Sequence, residues 1–120
     1  MLEKIKCRLA NINDINDIVN INRICLPENY PVDYFLYHLR DFPDLFVVAT
    51  IFDNESEKII GYSMNRVEYG FSNFGLNITR KGHIISFAVL PEYRRKGVGS
   101  YMMQETISRF IKRNVSEIYL

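Results

Sequence analysis

The chain has 120 residues, a net charge of +1, and 48% hydrophobic against 24% charged side chains, which is ordinary for one soluble globular domain over residues 1–120. So small a basic excess argues against a broad nucleic-acid footprint, and two cysteines, Cys7 and Cys25, make neither a disulfide scaffold nor a zinc site by themselves. No apolar run approaches the ~20 residues that span a bilayer, and residues 1–6 carry no signal-peptide core. The expectation is a reducing, cytoplasmic protein with buried free thiols, no bound metal, no membrane and no direct nucleic-acid partner.

Residues 4–9 alternate, with Ile5, Cys7 and Leu9 on one side and Lys4, Lys6 and Arg8 on the other, as in a half-buried strand. Asn13 suits a helix N-cap, and Ile15, Ile18, Val19, Asn22 and Cys25 then fall on helical spacing. Pro27 and Pro31 break that helix, because proline lacks an N–H and restricts the residue before it. Residues 32–40 read as a second, aromatic-rich helix. Residues 45–52 and 58–68 read as two strands joined through the polar turn at 53–57, hence a hairpin. Residues 69–80, with Gly70, Ser72 and Gly75, read as a loop, and 81–90 as a strand long enough for the centre of a sheet. A helix follows, with Val98, Met102, Ile107, Phe110 and Ile111 near one face, read as core, and residues 115–120 begin another strand. The order β-α-α-β-β-β-α-β predicts an α/β (α+β) domain with a mostly antiparallel central sheet flanked by helices.

Between the long strand and the last helix stands Arg94-Arg95-Lys96-Gly97-Val98-Gly99. A helix start offers unpaired N–H groups and the positive end of the helix dipole. Glycines let a ligand approach the backbone, and Arg and Lys add charge, so strand, basic glycine turn and helix together form a cradle for pyrophosphate. The competing reading of Arg94–Lys96 is a solvated basic turn.

Arg94-x-x-Gly97-x-Gly99, after a strand ending Ala88-Val89, resembles the acetyl-CoA signature of the GNAT N-acetyltransferases. Cys25-Leu26-Pro27-Glu28-Asn29-Tyr30 resembles the loop between the first two helices in the Ard1/Naa10-like branch, which acetylates protein N-termini, and His83 to Val89 resembles that branch's central strand. The resemblance runs from about Lys4 to Leu120. It implies the GNAT fold and acetyl-CoA as acetyl donor. It also implies further elements beyond Leu120, a helix with an Asn-x-x-Ala-x-x-Leu-Tyr-like motif among them, so the C-terminal part is expected to be missing from this chain.

The resemblance further implies a central strand that bulges near the cofactor, freeing backbone groups at Phe87, Ala88 and Val89 for the pantetheine arm. The amides of Arg95, Lys96, Gly97, Val98, Gly99 and Ser100, with Arg94, would meet the pyrophosphate. The implied reaction is direct attack of an α-amine on the thioester. His83 and Glu28 compete as the base. His83 is otherwise a strand-end histidine bonded to backbone, and Glu28 a carboxylate that caps the second helix. In the branch, Glu28's equivalent bears on substrate selection. Leu26 and Tyr30 would line the groove for the first acceptor residue, with plain core packing the alternative for Tyr30. Ser86 is expected to pack or bond backbone, since this chemistry needs no covalent intermediate. The acceptor is a protein or peptide N-terminus, with a small amine or lysine side chain as the rival. An auxiliary subunit or the ribosome is the implied partner. A non-catalytic fragment that pairs with a second copy through an open sheet edge is the reading from another class.

Overall fold

A computed structural model describes residues 4–73 and 75–120. The expectations that fall on residues 1–3 and on position 74 lie outside the described residues. The elements are β1 (Lys6–Leu9), α1 (Ile15–Cys25), α2 (Val32–Asp41), β2 (Phe46–Asp53), β3 (Ser56–Phe71), β4 (Ile78–Val89), α3 (Val98–Lys112) and β5 (Glu117–Tyr119), the order expected. They build one sheet, β1-β2-β3-β4-β5, antiparallel except for the parallel pair β4/β5. The strand expected at the centre is second from the edge, and β3 takes the middle.

α1 and α2 cover one face, where Ile15, Ile18 and Phe35 pack on Val48, Tyr62 and Ala88. α3 covers the other, where Val98 and Met102 meet Ala49, Ile51, Ile60 and Val89, and Phe110 meets Leu45 and Ile84. Cover on both faces explains why residues 46–51 of β2 are buried without alternation. Gly82 is required by this packing: a β-carbon there would stand 2.8 Å from the Phe110 ring, so only glycine lets that ring lie flat on the strand.

Several boundaries differ from expectation. The loop expected over 69–80 shrinks to residues 72–77, because cross-strand pairs Tyr69↔Arg80, Gly70↔Thr79 and Phe71↔Ile78 extend the β3–β4 hairpin past its glycine. The cap belongs to Asn11, not Asn13. Its side chain accepts the Asn13 N–H at 2.9 Å, and Asp14, clamped by Arg8 at 2.7 Å, accepts the Asn11 N–H at 2.8 Å, opening a 3-10 turn that leads into α1. The buried stripe of α3 is Val98, Met102, Thr106 and Phe110, while Ile107 and Ile111 face outward. A 2.8 Å hydrogen bond between the Thr106 and Ser63 hydroxyls accompanies that rotation. Cys7 and Cys25 are free thiols but half-buried, not buried. Desolvation first, and Glu105 second, push the Cys7 thiol up to about 11, which keeps it unreactive at neutral pH.

Two features of β4 shape everything that follows. β5 pairs only with Lys81, Gly82 and His83, so the same edge of β4 is left without a β5 partner from Ile84 to Val89. A bulge also interrupts the β3 pairing, since Met64 faces Ser86 while Asn65 faces Ile84, leaving Ile85 as the extra residue. Ile85 packs with the α1/α2 core, and Ser86 bonds Tyr62 on that same face.

Candidate active site

The open edge of β4 and the α1–α2 loop enclose a cleft of about 320 Å³. Leu26, Pro27, Glu28 and Tyr30 line one wall, Ile84 to Phe87 the other, and Leu120 the end. Two sequence-distant segments singled out above, the Leu26–Tyr30 loop and the long strand, therefore share one concavity. The Tyr30 ring also packs on Tyr34 at 4.7 Å and on Phe35, so it serves cleft and core together. Glu28 is exposed and does not cap α2, whose N-cap, Pro31, receives no side-chain bond.

Asn22, wholly buried on α1, holds the loop in place. Its Nδ2 donates to the Glu28 carbonyl at 3.2 Å and to the Tyr62 hydroxyl at 3.1 Å. Tyr62 continues to Ser86 at 2.6 Å, and Asn29 donates to the Leu26 carbonyl at 2.9 Å. A chain of polar groups thus runs from strand to loop, and Ser86 bonds a side chain there, not backbone. Burial pushes the Tyr62 phenol up, partly offset by its Ser86 and Asn22 bonds, so it stays a neutral donor and acceptor. Asn22 was visible in the sequence as the one polar residue on an apolar helical face; Tyr62 gave no such signal.

His83 stands where the β5 pairing stops, one residue before the cleft-lining Ile84. It bonds a side chain instead of backbone: its Nδ1 lies 3.0 Å from Glu68 Oε2, and its ring stacks on Tyr119 with centroids 4.3 Å apart. Glu68 also accepts from Arg66 Nε at 2.7 Å and from the Tyr119 hydroxyl. Partial burial alone would raise the Glu68 carboxyl, but the bonds from Tyr119, His83 and Arg66 prevail and hold it at about 2. A carboxyl depressed in the folded state contributes stability above its ordinary range, near 4.5, and loses it as pH falls through about 2. Between those values wild type should lose melting temperature faster than Glu68→Gln. Asp14 and Glu57 are also depressed but are common to both proteins, so the difference isolates Glu68. Parallel acid melts would contradict the assignment.

At the other end of β4, Arg94 follows a 3-10 turn over Pro91–Tyr93, and its Nε donates to the Val89 carbonyl at 2.8 Å. Arg94 thus ties the glycine turn to the strand, and the Val89 carbonyl already has a partner. Arg95 and Gly97 both adopt left-handed backbone, with φ of 63° and 85°. Such residues in a turn aim successive amides into one concavity. The N-cap of α3, Gly97, makes no side-chain cap bond, and the first turn carries no acidic residue, so neither offsets the positive end of the dipole. Gly99 has ordinary backbone, and a β-carbon there would meet only Phe87, at 3.9 Å. Packing within the protein does not demand a glycine at 99, whereas close approach of an outside group to the amides does. The residues present therefore fit a pyrophosphate.

Val98, by contrast, is buried against Met102 and Ala49, so only its backbone faces the turn. Phe87 and Val89 point toward α3, while Ala88 packs on the α1/α2 side. Any contact of Phe87 and Ala88 with an extended ligand at the open edge is therefore through backbone. Among the described residues no group of His, Cys, Asp or Glu is placed to hold a metal, and no helix is long and apolar enough to cross a membrane.

Known proteins share this architecture and sequence. The family model described as acetyltransferase (GNAT) family matches residues 15–120. A Saccharolobus solfataricus protein named N-alpha-acetyltransferase is 44% identical over 116 residues, covering 94% of this chain and 67% of its own length. The NatC complex bound to Gag peptide and CoA contains a chain with the same fold, at a TM-score of 0.81 and 22% identity, over 96% of this chain and 72% of that one. Ard1 from Thermoplasma volcanium superposes with a TM-score of 0.69 at 25% identity, over 92% of this chain and 66% of its own. The strand order, the bulged β4 and the uncapped glycine turn lead to the same place as these likenesses: the chain belongs to the GNAT acetyltransferase family.

Proposed function

We propose that the protein transfers acetyl from acetyl-CoA to the α-amine of a protein or peptide, acting as an N-terminal acetyltransferase built on one GNAT domain. The observation that carries this is the shared cleft: the Leu26–Tyr30 loop faces the open edge of β4 beside the glycine turn. The 44% identical relative named for that activity supports it. Backbone of Arg95 to Ser100 holds the pyrophosphate, the side chains of Arg95 and Lys96 add charge, and Arg94 fixes the turn. The edge at Phe87 and Ala88 takes the pantetheine arm as an added strand would be taken. The cofactor supplies an activated acetyl thioester.

The chain's own residues have a modest chemical task. An α-amine has a pKa of about 7.7–8.0, so roughly a tenth is neutral at pH 7, and supplying that form costs about 1 kcal/mol. Orientation of the reactants is worth roughly 7–11 kcal/mol. Positioning therefore outweighs base strength. Leu26, Glu28 and Tyr30 seat the first acceptor residue, and His83 takes the amine proton through water as the N–C bond replaces the C–S bond. Glu28, exposed on the loop wall, acts in seating the acceptor. An auxiliary subunit, the ribosome or a second copy as partner, and the cytoplasm as setting, belong to the same proposal through the family resemblance.

Glu28→Gln tests the acceptor reading. The acceptor KM is expected to rise about tenfold or the preferred first residue to change, with acetyl-CoA affinity unaltered, measured with a peptide panel and calorimetry. Substrates with a blocked N-terminus and a free lysine separate the rival reading. Faster turnover on those than on free N-termini would move the activity to side-chain amines.

A further inference from the structure

The geometry points to Glu68 as a positioning residue that fixes the proton of neutral His83 on Nδ1 and leaves Nε2 as the proton acceptor. This rests on the reading of His83 as the base. The two residues lie fifteen apart in sequence and meet because β3 and β4 pair antiparallel, with Arg66 opposite His83 and Glu68 opposite Lys81.

The argument is one of donor and acceptor inventory. An ionised carboxylate only accepts hydrogen bonds. Glu68 accepts from Arg66 Nε at 2.7 Å and from the Tyr119 hydroxyl, and both bonds favour the ionised form, in line with a carboxyl held at about 2. The His83 nitrogen 3.0 Å from Glu68 Oε2 must therefore carry the hydrogen. In the neutral ring the other nitrogen then bears a lone pair. A free imidazole in water prefers the opposite tautomer, so the carboxylate has a definite task. Tyr119 stacked on the ring stops it from turning away, and Arg66, which also reaches the Tyr34 hydroxyl at 3.5 Å, holds Glu68 from its other side. The arrangement has the logic of a carboxylate that orients a catalytic histidine without itself exchanging protons.

The charged and titratable groups around the pair come from four elements. Arg66 and Glu68 lie on β3, Lys81 on β4 with its Nζ 5.1 Å from the Tyr119 ring centroid, and Tyr119 on β5. From α2 come Tyr34, whose hydroxyl meets Arg66, and the buried His38, packed on the Tyr34 ring. Among the described residues, Glu68 is the one carboxylate bonded to the His83 ring.

The chain has two histidines, so a long-range proton–nitrogen correlation spectrum shows two imidazoles, and His83→Gln identifies the relevant one. Neutral His83 is expected as a single Nδ1–H tautomer in wild type. In Glu68→Gln, where an amide can donate as well as accept, it should become a mixture. That variant should also lose about tenfold in kcat/KM, because the ring spends part of its time with the proton on the nitrogen that must accept one. Tyr119→Phe loses its own hydroxyl bond to Glu68 but keeps the ring stack and the bond between Glu68 and His83, so its tautomer should match wild type. A wild-type ring protonated on Nε2 overturns the proposal. So does Glu68→Gln with the tautomer unchanged. Full turnover in His83→Gln, with the tautomer as expected, would remove the base reading and with it any part for Glu68 in the reaction.

Discussion

Gly99→Val is expected to weaken acetyl-CoA binding by more than tenfold while leaving the melting temperature within a few degrees of wild type. The two halves of that result come from different features of the position. Gly99 has ordinary helical backbone, and an added β-carbon meets only Phe87, at ordinary contact distance. A glycine in a helix is about 1 kcal/mol worse than alanine and roughly half that worse than valine, so the fold has no reason to suffer. A branched side chain nevertheless stands over the first-turn amides of α3, a turn with no N-cap side-chain bond and no acidic residue of its own. A pyrophosphate could no longer approach them closely. Gly97→Val is the instructive contrast. Its neighbourhood is equally empty, but its φ of 85° is strained for any β-branched residue, so that variant should lose about 1–3 kcal/mol of stability as well as affinity. Calorimetry with acetyl-CoA and a thermal melt on each variant separate the two effects. Undiminished affinity in Gly99→Val would place the phosphates elsewhere.

The same contrast shows what could be read from sequence. Gly97 and Gly99 are both part of one short motif, and the motif's meaning is local: a turn, a helix start and nearby cations, all within seven residues. The Leu26–Tyr30 loop was legible for the same reason. The order of elements was legible too, because hydrophobic period and proline breaks are short-range signals. The residues that hold the site together were less so. Glu68 meets His83 across the β3–β4 register and Tyr119 across a parallel strand fifty-one residues on. Ser86 meets Tyr62, and Tyr62 meets Asn22, through a bulge at Ile85 that no local pattern announces. The same dependence on register explains the hairpin: Gly70 and Ser72 looked like loop residues, yet pairing partners from Ile78 to Arg80 carried β3 as far as Phe71. The rotation of α3 departs from its apolar spacing because Thr106, polar by type, is buried and bonded to Ser63.

Asn22→Leu is expected to have the largest effect on the acceptor side, lowering the melting temperature by roughly 8–15 °C and raising the acceptor KM, with acetyl-CoA affinity intact. Leucine keeps the heavy-atom outline of asparagine, so the lost hydrogen bonds lead, with some crowding from its bulkier methyl groups. The Glu28 carbonyl and one side of the Tyr62 hydroxyl lose their donor, and Asn29 loses the 3.4 Å bond to the Asn22 side chain. Unpaired buried groups cost about 1–3 kcal/mol each, and the Tyr62 hydroxyl keeps Ser86, so about 2–4 kcal/mol is the reasonable total. Tyr62→Phe should cost only about 1 kcal/mol, because Asn22 retains the Glu28 carbonyl and the loop stays seated. The pair makes the loop's dependence measurable: if Asn22 acts by holding the Leu26–Tyr30 wall against β4, the KM effect must follow Asn22 and not Tyr62. Equal KM effects from both would mean that the loop is seated by core packing of Tyr30 on Tyr34 and Phe35, with the polar chain contributing stability alone.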